Sequence, residues 1–190
     1  YTPRTIVEYM TEIIDPQQGE RYCDPCSGSG GFLINAFEYV RENIKKDIEL
    51  QKEKIKEQFF DEKYLKASDK EKEKIETKVD KIFKQLNEEL NLDNDKSRLY
   101  HLSHKCIFGT DANPRMARVS KMNMIMHGDG HGGVHHNDGL LDVNGIFEER
   151  FDVILTNPPF GARVDKELKI TEEDSLKSKP HYQDWLAMYP

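Results

Sequence analysis

The sequence predicts an α/β fold: a doubly wound, mostly parallel sheet, incomplete within this chain, that carries an inserted helical hairpin. Three observations support that prediction. Short apolar runs near positions 21, 106, 134 and 151 alternate with segments of helical period, which is the pattern of a parallel sheet. The first run passes into a glycine-rich turn, Asp24-Pro25-Cys26-Ser27-Gly28-Ser29-Gly30-Gly31, and then into a helix, as nucleotide-binding α/β units begin. Between about 41 and 100 the composition shifts sharply to Lys and Glu, with apolar residues left only at helical spacing.

Thr2 before Pro3 predicts a helix entry, with a hydroxyl cap and Pro at the first helical position. Ile6, Val7, Met10, Ile13 and Ile14 recur at helical spacing as far as Pro16. A strand at about 21–23 leads through the glycine turn to a helix over 32–40. Ile44, Ile48, Ile55 and Phe59 then lie on one stripe, and Ser68 with Glu71 predicts a capping box. Ile75, Val79, Ile82, Leu86 and Leu90 follow it, so two antiparallel amphipathic helices are expected over 41–100. That segment reads as a solvated insertion, or alternatively as a partner-binding arm, between two parts of one core at 1–40 and 101–190. A strand ending near Asp111 precedes a helix over 115–127 whose inner face is expected at Met116, Val119, Met122, Asn123 and Met126. Strands at 134–138 and 151–156 complete the series, and 166–179 reads as a solvated loop of mixed charge.

With 33% charged and 36% hydrophobic residues the chain is unusually polar, and its net charge is −7. No run approaches the roughly 20 apolar residues of a membrane span, and no signal-peptide pattern is present, so a cytoplasmic location away from membranes is expected. The acidic balance argues against this chain gripping a polyanion by itself; if nucleic acid is the substrate, most of the backbone clamp lies elsewhere. Cys23 and Cys26 have redox or zinc spacing but no second pair, and read as reduced thiols. His127, His131, His135 and His136 read as a helix end and a polar loop, not as a metal site. The chain opens on Tyr1-Thr2-Pro3 without Met and closes within an apolar pattern at 184–190, so it reads as an excerpt of a longer protein.

In doubly wound sheets, ligands bind beyond the carboxyl ends of the strands. Asp24, Asp111, Asp138 and Asn157 stand at or just past four such ends. Glycines 28, 30 and 31 let a ligand approach the backbone, and Asp24 can hold a cationic amine. Asp111 stands where an acidic residue takes a ribose diol, or else caps the following helix. In Asn157-Pro158-Pro159-Phe160 the two prolines fix φ and stiffen the corner with its carbonyls outward. Asn157 adds an amide oxygen and Phe160 a flat apolar face. Such a corner can accept hydrogen bonds from a planar amine or carboxamide while stacking the ring that carries it.

These motifs stand in the order found in amino-methylating, S-adenosylmethionine-dependent DNA methyltransferases. Tyr1-Thr2-Pro3-Arg4 resembles the motif before the glycine loop in the adenine-modifying group. The string 113–141 is similar to the methylation subunit of type I restriction-modification systems. The resemblance implies a class I, Rossmann-like methyltransferase fold, whose usual seven strands are here reduced to four. It implies methyl transfer from S-adenosylmethionine to the N6 amine of adenine in DNA. Thr2, Pro3 and the loop of Asp24, Pro25, Cys26, Gly28 and Gly30 would hold the methionine part of the cofactor. Asp111 would take the ribose hydroxyls and Asp138 the cofactor's adenine amino group. Asn157 and the Pro158 carbonyl, in a corner stiffened by Pro159, would accept the target amine, and Phe160 would stack on the flipped-out base. A separate specificity subunit would supply most DNA contact, a restriction subunit is a further candidate partner, and a hetero-oligomer is expected. Catalysis is then a property of the full protein rather than of the excerpt. A protein-glutamine methyltransferase and a non-catalytic cofactor-binding scaffold remain open alternatives.

Overall fold

The computed structural model describes residues 2–129, 133–139 and 151–160. His131, the loop at 166–179 and the apolar pattern at 184–190 lie outside the described residues. Four strands, β1 (Tyr22–Asp24), β2 (Ile107–Asp111), β3 (Val134–His136) and β4 (Val153–Ile154), form one sheet in the order β3-β2-β1-β4. All pairings are parallel, with Tyr22 opposite Ile107 on one side and Val153 on the other. The chain steps outward from β1 through β2 to β3 and then returns to set β4 on the far side of β1. That reversal between β1 and β4 is the topological switch point, where ligands bind in such sheets.

Helices α1 (Arg4–Ile14), α2 (Gly31–Phe59) and α6 (Pro114–Met126) accompany the sheet, and α2 supplies the largest share of the core. Its Leu33, Ala36, Phe37, Val40, Ile44 and Ile48 are buried in one cluster with Tyr22, Leu102, Ile107 and Met124. The helix rests directly on β2: a Cβ on Gly109 would meet the Leu33 Cδ1 at 2.5 Å, so the strand needs glycine there.

α2 is longer than its composition suggests. It crosses position 40 without a break, because Phe37, Val40, Ile44 and Ile48 keep the helical spacing and continue the buried face into the charged segment. Asp61 caps the short α3 (Glu62–Lys66), accepting from the Lys63 and Tyr64 N–H groups, and α4 (Asp69–Glu88) then returns antiparallel. Lys56 lies over the Phe83 ring and Lys78 over the Phe59 ring. The Ser68–Glu71 capping box forms, while only Val79 of the α4 stripe is fully buried. Three pieces escaped the sequence reading: α3, α5 (Arg98–His101) and the π-helical turn Leu102–Cys106 that leads into β2. Arg98 anchors this region to Asp47 at 2.5 Å and to Gln18.

Two sequence expectations fail on the helices. In α1 the N-cap is Pro3 and Thr2 makes no cap. Only Val7 and Thr11 are buried, while Ile6, Tyr9 and Ile13 are exposed, because α1 meets α2 along a narrow stripe. In α6 the buried residues are Ala117, Ser120 and Met124, whereas Met122 and Met126 face outward. Close packing explains the rotation: a Cβ on Gly30 would stand 2.7 Å from the Ser120 Oγ, so only small residues fit between α6 and the glycine turn. Among the described residues, no helix is long and apolar enough to cross a membrane.

Candidate active site

β1 ends at Asp24 and the chain turns over the end of β2. The turn is tied to that strand: Ser27 N–H donates to the Thr110 carbonyl at 2.8 Å, and the Thr110 hydroxyl donates to the Pro25 carbonyl at 2.7 Å. Gly30 N–H closes on the Ser27 carbonyl at 2.7 Å, with Gly30 at φ 88°. α6 steadies the same turn through Asn123, whose amide donates to the Ser29 carbonyl at 2.9 Å. A glycine-rich loop thus becomes a fixed cradle.

Asp111, at the end of β2, is held by two backbone donors. Gly28 N–H reaches one carboxylate oxygen and Asn113 N–H the other, each at 2.8 Å. A carboxylate has about four lone-pair sites, so two acceptor positions remain. The Asn113 side chain caps α6, accepting from the Arg115 and Met116 N–H groups. At the end of β3, the Asn137 side chain accepts the Asp138 N–H at 2.9 Å, and Asp138 is exposed.

A cavity of about 240 Å³ lies at the switch point. Of the residues singled out in the sequence, Thr2, Asp24, Cys26, Gly28, Gly31 and Asn157 line it. Pro3, Pro25, Gly30, Asp111 and Asp138 are not among its lining residues. Pro158, Pro159 and Phe160 project outward beyond it, and Phe160 is 91% exposed. Ser27 and Ser29, within the same glycine turn, line the cavity too, while Val7, Phe32 and Met116 also line it and were missed. Met116 was assigned to a core face, yet it borders the cavity.

Electrostatics favour a cationic occupant. Asp24 is 1% exposed, and burial pushes its carboxyl up from 3.8 to about 6. The nearby Thr156 hydroxyl and the Cys26 N–H, which donates at 3.0 Å, pull the other way, and the Asp111 charge adds to the rise. Thr156 favours the charged carboxylate without reaching a well-formed hydrogen bond. The charges of Asp24, Asp111 and Asp138 all bear on Cys26, whose thiol is raised mainly by burial. Three carboxylates therefore surround one small cavity. The Ser27 hydroxyl is buried there without a hydrogen-bond partner. A ligand bearing an ammonium group and hydrogen-bonding atoms fits this donor set, and the amino-acid end of S-adenosylmethionine has both. Among the described residues, no group of three or more His, Cys, Asp or Glu has the arrangement of a metal site.

Comparison with known proteins places the chain. The N-6 DNA methylase family model matches residues 1–188. The methylase subunit of the type I restriction enzyme EcoEI from Escherichia coli is 28% identical over 178 residues, 93% of this chain and 25% of that protein. The MjaIX methylase subunit from Methanocaldococcus jannaschii is 26% identical over 165 residues, 84% of this chain and 18% of its own length. The chain therefore spans about a quarter or less of the length of these relatives. Among solved structures, a modification subunit of a putative type I restriction enzyme from Vibrio vulnificus superposes with a TM-score of 0.52 at 27% identity, over 87% of this chain and 25% of that one. The EcoKI M protein superposes with a TM-score of 0.54 at 21% identity, over 86% and 26%, which bears on the fold alone. These likenesses agree with a Rossmann-like methyltransferase core. The chain belongs to the N-6 DNA methylase family.

Proposed function

We propose that this chain is the catalytic portion of an adenine-N6 DNA methyltransferase of the type I modification kind. Residues 1–40 and 101–190 contribute to its core, and 41–100 forms an inserted helical hairpin. The observation that carries the reading is the meeting of the Asp24–Gly28 turn and Asn157 in one cavity at the switch point of the sheet. The family match and the relatives favour DNA adenine over protein glutamine, and an enzyme over a scaffold.

S-adenosylmethionine supplies an electrophilic methyl group on a sulfonium when bound. Asp24 would pair with its ammonium, and Thr2, Ser27 and the glycine turn would hold its amino-acid end. The cavity suits the amino-acid end rather than a whole ligand, whose pockets run to roughly 300–1,000 Å³. Beside the cavity, Asp111 keeps two acceptor sites that sugar hydroxyls would take, and Asp138 would accept from the adenine amino group. The target adenine's amine is a poor nucleophile because its lone pair is delocalised into the ring. The Asn157 amide oxygen and the Pro158 carbonyl accept its two N–H groups, which favours a pyramidal nitrogen with its lone pair aimed along the transfer axis. The base leaves the duplex to reach this corner, at a cost of a few kcal/mol, and the exposed Phe160 offers a face to stack on.

The net charge of −7 agrees with DNA being held largely by a separate specificity subunit in a hetero-oligomer, where a restriction subunit is a further partner. The test is a labelled-methyl assay of the full-length protein with its partner subunits, offered DNA and protein acceptors side by side. Label in DNA as N6-methyladenine is expected. Label in protein glutamine, or in neither acceptor, overturns the reading.

A further inference from the structure

Thr2 does not do what its position before Pro3 suggests. Its hydroxyl caps no N–H of α1. Instead it accepts the Asn157 side-chain amide at 2.9 Å, and both residues line the same cavity. This contact joins the segment before α1 to the corner after β4, across 155 residues of sequence.

A carboxamide has two ends of nearly the same shape, one an acceptor and the other a donor. The target amine presents N–H groups to this corner, so only the oxygen end of Asn157 is useful. A flipped side chain sets donors against donors and removes one of the two acceptors. We infer that Thr2 is a positioning residue for Asn157: its hydroxyl takes the amide N–H and so turns the amide oxygen toward the incoming amine. The inference rests on the reading of the Asn157 corner as the amine acceptor.

A hydroxyl donates as well as accepts, so this selection is complete only when the Thr2 proton is committed elsewhere. Thr2 borders the cavity that Asp24 and Ser27 also line. The carboxylate of a bound amino-acid group would accept a hydrogen bond from that hydroxyl, leaving only its lone pairs to face Asn157. Filling the cofactor pocket thereby sets the acceptor for the second substrate.

The experiment uses the full-length protein with its partner subunits at saturating S-adenosylmethionine. Thr2→Val keeps the side-chain shape and removes the hydroxyl; it is expected to lower kcat about tenfold to a hundredfold. Thr2→Ser is expected to keep kcat within about threefold of wild type, since the hydroxyl remains. In an Asn157→Ala background, Thr2→Val is expected to change the residual rate by less than about twofold, because its target is gone. A second readout needs no turnover: with S-adenosylhomocysteine bound, the preference for DNA carrying adenine over DNA carrying unsubstituted purine, which lacks the 6-amino group, at the target position is kept in wild type and Thr2→Ser but lost in Thr2→Val. A wild-type kcat in Thr2→Val overturns the inference. So does a loss that multiplies undiminished onto Asn157→Ala, since that would make Thr2 a structural or cofactor contact only. A wild-type protein that leaves DNA adenine unmethylated overturns the functional reading and this inference with it, so the two failures are told apart.

Discussion

Replacing Asp24 with Asn is expected to stabilise the cofactor-free protein while removing the proposed partner of the cofactor's ammonium. The carboxyl is 1% exposed and its pKa is pushed from 3.8 to about 6. Holding it ionised at neutral pH therefore costs about 3 kcal/mol. Asn keeps an oxygen for the Cys26 N–H, which donates at 3.0 Å, and removes the charge. For a protein of this size that figure corresponds to a rise in Tm of about 6–12 °C as an upper bound. The sign also fixes the pH dependence. A carboxyl whose pKa is raised by folding binds its proton more tightly in the folded state. Its contribution to stability is full below about pH 4 and is lost as pH climbs through about 6. The advantage of the Asn variant is thus present above about pH 6 and disappears below about pH 4. In wild type, the rise in Tm on adding S-adenosylmethionine is expected to shrink below about pH 6, as Asp24 takes up a proton. The assay is thermal melting across this range with and without S-adenosylmethionine. A variant that melts below wild type without cofactor, yet keeps the full cofactor-induced rise, refutes the reasoning.

Three further substitutions test other parts of the account. Gly30→Ala puts a Cβ 2.7 Å from the Ser120 Oγ at a φ of 88°, so it is expected to cost about 1–3 kcal/mol in urea unfolding. Adding Ser120→Ala recovers the clash but not the backbone strain. Ser68→Ala removes the cap of α4 and about 1 kcal/mol, seen as faster hydrogen exchange in the first turn of that helix with β1 and β2 unaffected. Phe160→Ala leaves the melting temperature unchanged, because the ring is 91% exposed, but weakens binding of the extruded base by about 1–3 kcal/mol in a 2-aminopurine titration.

The strand ends were legible because each coincides with a short string that has few structural uses. Asp24 and Asn157 combine a special backbone with one polar side chain, and the order of the strands places them side by side. Helix faces were less legible. The Met residues of α6 have the right spacing for a core face, but Ala117 and Ser120 take that place, since the glycine turn leaves no room for larger side chains. Hydropathy carries no information about that gap. The length of α2 was obscured by Lys and Glu on its outer side, although Ile44 and Ile48 continue the buried stripe. Thr2 was misread because a hydroxyl before Pro3 is a good helix cap locally. Its actual partner, Asn157, is brought near only by the parallel pairing of β4 with β1. Local chemistry was readable from the chain; contacts that depend on how elements approach each other were not.

The central claim is that the Asn157 corner receives the amine while the Asp24 turn holds the cofactor. It is tested most directly by Asn157→Ala in the full-length protein with its partners. S-adenosylmethionine affinity and methyl transfer to DNA are to be measured on the same preparation. The account predicts affinity within about threefold of wild type and a fall in the transfer rate of at least about a hundredfold. Methyl transfer at the wild-type rate by the variant would contradict it.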